Sequence, residues 1–205
     1  MTLSEFPVVF PPDFPDATGL LHLTETGSTN DEARRLFASQ LEGHVSPIWI
    51  MTDRQVSGRG RMGRNWSSPE GNLMTSLMCK PRCDLSTMGQ LGFVAGLAVQ
   101  ESIQEMTTLS AKLKWPNDVL IEGAKCAGIL LETLSNEAQE IGLAIGIGIR
   151  SCYCSCSYFF SFSFTCSYLF LLVLLCFLLF LTFERTVNWK NRFCIRRLLS
   201  ISKTD

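Results

Sequence analysis

The chain changes character at residue 150, and that break limits how much of it can build an ordinary globular core. Residues 151–183 are Leu (8), Phe (8), Ser (6), Cys (5), Tyr (3), Thr (2) and Val (1), with no charge, glycine, alanine or proline. Two readings of this tract stay open. Residues 158–183 are uncharged and long enough for a transmembrane helix, which needs about 20 residues, and basic residues follow them. Alternatively the tract is an unselected tail, the product of a frameshift or of non-coding sequence. Thirty of its 33 residues are of types encoded by codons that begin with a pyrimidine. Topology also weighs against a span, because a cytoplasmic basic C-terminus would put the first 150 residues outside. Cys152, Cys154 and Cys156 alternate within the biased tract, a spacing unlike that of a metal site, and no metal is assigned.

Charge divides the same way. The net charge is −1, yet residues 184–205 carry six Lys/Arg and two acids. The balance gives no global pull toward nucleic acid. Residues 1–19 lack the basic and apolar regions of a secretory signal, so a cytoplasmic setting with free thiols is expected.

Before the break, short apolar stretches alternate with turn residues. Residues 1–21, with Pro7, Pro11, Pro12 and Pro15, read as an extended arm reaching into a first strand at 20–26. A helix opens at Ser28, a plausible N-cap, with Asp31 as its capping-box partner and Ala33, Leu36, Phe37 and Leu41 as its apolar face. Strands are predicted at 48–52 and 72–79, separated by a Gly/Arg-rich loop over 54–69. Helical spacing covers 86–106. Short strands at 112–115 and 119–121 are broken by Pro116. Gly123 turns a hairpin whose return strand is 126–132, and 141–149 is a Gly/Ile strand. The expected class is α+β, a mixed sheet with helices packed on one face.

Three segments carry chemistry. In Gly58-Arg-Gly-Arg-Met-Gly-Arg64 the glycines allow close backbone approach and the arginines offer forked donors to phosphate or carboxylate oxygens. It lacks a Walker A ending and a Rossmann strand–loop–helix context. Taken alone, it reads equally well as a solvated basic loop or an RNA contact. In Lys114-Trp-Pro-Asn-Asp118, Lys112 and Lys114 share one strand face, and Asn117 and Asp118 bring polar groups to its end. A surface turn is the alternative. In Lys125-Cys-Ala-Gly-Ile-Leu, Gly128 permits close approach of a flat group.

Their order adds information. Thr26-Gly-Ser-Thr-Asn30, Gln55-x-x-Gly-Arg-Gly-Arg-x-Gly-Arg-x-Trp66, Lys-Trp-Pro-Asn-Asp, Lys-x-Ala-Gly-Ile-Leu and Gly146-x-Gly-Ile149 follow one another in a pattern that resembles the biotin–protein ligase family over residues 22–149. The resemblance implies a class II synthetase-like catalytic domain, here partial. It implies ATP-dependent formation of biotinyl-5′-AMP, then transfer of biotin to a lysine of a carboxylase carrier domain. Biotin and ATP would be substrates, with Mg²⁺ accompanying ATP. Lipoate ligases and octanoyl transferases share the fold and are the related alternative.

The resemblance also implies residue roles. Ser28, Thr29, Asn30 and Gln55 would bind biotin. Arg59, Gly60 and Arg61 would fold over biotin and its adenylate, with Arg61 on the reactive acyl phosphate. Lys125 would contact the biotin carboxylate and the α-phosphate. Arg61, Arg64, Lys114, Asn117 and Asp118 would lie near the nucleotide phosphates. Gly128 and Gly146 would leave room for the rings of biotin, and Trp66 would pack under the loop, near the ligand or in the core. Only some 27 residues precede Ser28, so no helix-turn-helix domain and no DNA binding is expected.

The family continues Gly-x-Gly-Ile/Leu with Asn, where this chain has Arg150. Residues 150–205 form a non-family tail. They replace further strands, an adenine-covering segment and a small barrel. An exposed edge of the sheet, a nucleotide pocket lacking a wall and an inactive fragment are the corresponding expectations. Membrane association would run only through 158–183.

Overall fold

The computed structural model describes residues 8–9, 18–39, 46–69, 71–107 and 109–150. The tail readings, the C-x-C-x-C run, Leu41 and most of the N-terminal arm lie outside these residues. Seven strands form one sheet: β1 (Gly19–Thr26), β2 (Ile48–Gln55), β3 (Leu73–Cys79), β4 (Ala111–Lys114), β5 (Asp118–Ile121), β6 (Ala124–Ser135) and β7 (Ile141–Ile149). Their order is β1-β2-β3-β7-β6-β5-β4. Only β1 and β2 are parallel, joined through helix α1 (Thr29–Ala38); every other pair is antiparallel. The mixed α+β sheet is as expected. The last strand before the break, β7, lies between β3 and β6. Among the described residues the outer strands of the sheet are β1 and β4.

Several boundaries moved for reasons of pairing. Strand β2 runs three residues past the predicted Thr52 because Arg54 and Gln55 pair with Glu25 and Thr26. Strand β6 outgrows 126–132 because its length through Ser135 pairs with β7. The predicted helix 86–106 is two helices, α2 (Leu85–Met88) and α3 (Leu91–Met106). Gly89, a poor helix former, sits at the break, where the Gln90 and Gly92 amides reach back three residues to Thr87 and Gly89. The hairpin turn at Gly123 is confirmed. Glu122 and Gly123 have φ of 50° and 81°, the doubly positive geometry of a tight hairpin.

Helices on one face is an expectation the structure corrects. Side chains alternate along a strand, and on β7 the two sets meet different partners. Leu143, Ile145, Ile147 and Ile149 join Val94, Ala95, Ala98 and Val99 of α3 in one core. Ala144 joins Ala33, Leu36 and Phe37 of α1 in another. The residues that alternate with the first set, Gly142, Gly146 and Gly148, lie under Phe37, Asn30 and Trp66. The small residues on this second face let α1 and the Gly/Arg loop lie directly on the sheet. Cys79 and Cys126 are buried and Cys83 is half-buried. Among the described residues no helix is long and apolar enough to cross a membrane.

Candidate functional site

A cavity of about 360 Å³ opens on the α1 face of the sheet. Its floor follows from register. Lys114, Asp118, Gly128, Gly148 and Met74 are successive partners across β4, β5, β6, β7 and β3, so they project to the same face. The two central members are glycines, and the indole of Trp66 lies on them. A Cβ at Gly148 would stand 2.7 Å from two ring carbons of Trp66, and one at Gly128 would stand 3.0 Å from a third. Trp66 is thus part of the floor. The space expected for biotin's rings over Gly128 is shared by this indole and the Lys125 side chain, while that over Gly146 holds the Asn30 carboxamide.

At one end of the cavity the α1 N-terminus is tied down by groups from other strands. Ser28 has the extended backbone of an N-cap but makes no side-chain capping bond. Instead Gln55 Oε1 accepts the Thr29 amide at 3.0 Å. The capping box is corrected, because the β1–β2 pairing delivers a carboxamide to this helix end and Asp31 turns to arginine. Ser76 Oγ lies 2.7 Å from Thr29 Oγ1 and 2.6 Å from Asn30 Oδ1. It has one proton, and Asn30 Oδ1 can only accept, so Ser76 donates there and receives from Thr29. Asn30 Nδ2 donates to Glu132 Oε2 at 2.8 Å. Buried Glu32 accepts from Thr26 Oγ1 at 2.5 Å and pairs with Arg35. Ser28, Thr29 and Asn30 are each under 5% exposed, so this end is already assembled.

The other end is exposed and cationic. The loop closes on itself through Gly60 N–H to Arg64 O (2.7 Å) and Trp66 N–H to Gly58 O (2.9 Å). Gly58 is required, since a Cβ there would meet the Gln55 carboxamide at 2.4 Å. At the tip, Arg61 and Arg64 are exposed, and Arg61 reaches Asn117 Oδ1 at 3.4 Å. Lys125 Nζ is 2.7 Å from Asp118 Oδ1 and 5.1 Å from the Trp66 ring centre. Arg150 lies at the same distance from that ring, within cation–π range.

Arg59 differs from its neighbours. Its Nη1 and Nη2 donate to the two Asp31 oxygens at 2.5 and 2.6 Å, and Nη2 is 3.7 Å from Glu132. The Arg59 hydrogen bond holds the Asp31 carboxyl below the usual carboxylate range, and Asp31 raises Arg59 in turn.

The structure brings Ser28, Thr29, Asn30, Gln55, Arg59, Gly60, Arg61, Arg64, Asn117, Asp118, Lys125 and Gly128 to one cavity. Lys114 is exposed and does not line it, being two strands outward of Gly128 on the edge strand β4. Sequence reasoning missed Ser76 and Glu132. Both look like ordinary strand residues, and only the spacing of two from Gly-facing positions on their strands would have hinted at them.

Comparison with known proteins agrees with the geometry. Residues 26–149 match the model of the biotin/lipoate A/B protein ligase family. A biotin–[acetyl-CoA-carboxylase] ligase of Paracoccus denitrificans is 41% identical over 126 residues, 60% of this chain and 51% of that protein. The bifunctional ligase/repressor BirA of Bacillus subtilis is 43% identical over 98 residues, 47% of this chain and 30% of that one. The chain therefore spans about half of the first relative and under a third of the second. The structure of a biotin protein ligase from Aquifex aeolicus in complex with biotin and ATP superposes with a TM-score of 0.60 at 30% identity, covering 77% of this chain and 68% of that one.

Proposed function

The chain belongs to the biotin/lipoate A/B protein ligase family, and on that premise we propose that residues 22–149 form the biotin- and phosphate-binding part of an ATP-dependent biotin–protein ligase. The observation that carries this reading is the single cavity joining a pre-assembled polar end to a cationic end. A small polar heterocycle suits the first and a polyanion the second.

The chemistry needs both. The biotin carboxylate oxygen attacks the α-phosphorus of ATP, the bond to the bridging oxygen breaks, and pyrophosphate leaves. The amine of a carrier-domain lysine then attacks the acyl carbon, and AMP leaves. Two anions must meet in the first step, so cations that offset their repulsion and a site that orients them do most of the work. No protein nucleophile takes part. Ser28, Thr29 and Gln55 face the biotin end, while buried Asn30 shapes it. Arg61 and Lys125 take the acyl phosphate, and Arg64 and Asn117 the remaining phosphates. Asp118 supplies a hard oxygen near that end, suited with Asn117 Oδ1 to Mg²⁺ carried in by the triphosphate. The metal would neutralise phosphate oxygens there. The acceptor is the biotin-carrier domain of a carboxylase.

Biotin-dependent ATP–pyrophosphate exchange by the full chain tests the reading. Exchange well above that of an Arg61→Ala control is expected, and exchange equal to the control overturns it.

A further inference from the structure

Two cations of the cavity are rooted in the sheet rather than carried on the Gly/Arg loop, and a bulge aims one of them. Val119 pairs with Ala127 and Leu120 with Lys125, so Cys126 is an extra residue on β6. Strict alternation would send Lys125 with Ala127 and Ile129 toward the α3 core. The bulge turns it to the other face, where it lines the cavity. The Cys126 carbonyl accepts the Arg150 amide at 2.8 Å, which carries the β6–β7 pairing just past Ile149. Gly146, Gly148 and Arg150 alternate along one face, and all three line the cavity. Along β7 the cavity face therefore passes from Gly146 under Asn30, to Gly148 under Trp66, to Arg150 at the cationic end. Lys125 Nζ and the Arg150 guanidinium carbon each lie 5.1 Å from the Trp66 ring centre.

Residue type matters here as much as place. The family pattern has asparagine where this chain has Arg150, so the site gains a full positive charge. Among the described residues the cavity wall holds five basic side chains, Arg59, Arg61, Arg64, Lys125 and Arg150, against one carboxylate, Asp118. That excess favours a polyanion. A guanidinium packed near an aromatic ring keeps planar, forked donors that phosphate oxygens can accept. We propose that Arg150 is an anion-binding residue of the cavity floor, and that it donates to the non-bridging oxygens of a phosphoanhydride, the triphosphate going in and the pyrophosphate coming out. That this anion is substrate and product rests on the ligase reading; the anion site itself does not.

The test is calorimetric titration of the full chain with inorganic pyrophosphate, with biotinamide, which carries no charge, as the control ligand. Arg150→Asn should raise Kd for pyrophosphate about tenfold, the lower end of what a hydrogen bond to a charged group contributes, and should flatten its dependence on salt. Arg150→Lys, which keeps the charge but loses the fork, should raise it by no more than about threefold. Kd for biotinamide should stay within about twofold of the parent in both variants, because a contact with an anion does not bear on a neutral ligand. An unchanged pyrophosphate Kd in Arg150→Asn overturns the proposal, as does a parent chain that binds no pyrophosphate. So does an equal loss of biotinamide binding, since that reports a general disturbance of the site. Because titration needs no turnover, pyrophosphate binding that depends on Arg150 without any ATP–pyrophosphate exchange would sink the ligase reading and leave the anion site standing.

Discussion

The two ends of the cavity are built on different principles. At the α1 end, Ser28, Thr29 and Asn30 are buried, and Thr29 and Asn30 are bonded to groups from β2, β3 and β6. At the loop end, Arg61 and Arg64 are exposed, with few protein partners. The difference teaches which end can be ready before substrate. Buried polar groups must be satisfied within the fold, so the α1 end is fixed by folding itself. Exposed cations keep their hydration and their freedom until an anion arrives, so the loop end is completed by the ligand.

Substitutions should separate the two ends. Arg61→Ala should lower biotin-dependent pyrophosphate exchange on the order of a hundredfold, the scale of one lost charge-stabilising donor, while leaving the melting temperature near the parent value. A large fall in melting temperature would break the comparison, because it would make Arg61 part of the fold. Gly148→Ala should act the other way. The added Cβ meets the Trp66 ring at 2.7 Å, and overpacking of this kind costs about 1–3 kcal/mol, read by denaturant unfolding. Ser76→Ala should cost about 1 kcal/mol, the net worth of a hydrogen bond, and should raise apparent Kd for biotin more than KM for ATP. Equal effects on both ligands would erase the distinction between the ends.

The smaller effects sharpen it. Asp31 is held below its ordinary value of 3.8 by Arg59, with Arg34 adding to the effect. A depressed carboxylate stabilises fully above its unfolded pKa and loses that contribution as pH falls through the folded one. The melting-temperature gap between the parent and Asp31→Asn should therefore be constant from pH 7 to 5 and close only below about 3.8. A gap that closes near neutrality would assign it to another group. Lys114→Ala should matter least. The lysine is exposed on edge strand β4 outside the cavity, so exchange should fall by no more than about a few-fold through screened charge.

Much of this was legible in the chain. The strands before β4, the turn at Gly123 and the sheet class followed from alternation and punctuation, and the ordered motifs pointed to twelve residues that do share a cavity. The errors had common causes. The capping box at Asp31 was local reasoning overruled by Gln55, a residue brought near through strand pairing. Lys114, which the resemblance groups with Asn117 and Asp118, stands apart from them on the outer strand β4 and does not line the cavity. Ser76 and Glu132 carried no motif, and their importance depends wholly on what α1 places above them.

Sequence alone determined the family pattern, the cationic loop, the glycines and the apolar periodicity that commits residues 20–149 to a mixed sheet. These are properties of residue type and spacing, which act at short range. Only the tertiary structure decided that α1 and α3 take opposite faces, that Trp66 rests on the paired glycines 128 and 148, and that Arg59 spends its charge on Asp31 while Arg61 and Arg64 remain open. The reason is register. Pairing across strands brings together residues as distant in sequence as Leu73 and Ile149, the helix laid on the sheet reaches farther still, from Asn30 to Glu132, and no local pattern records which partners will be chosen.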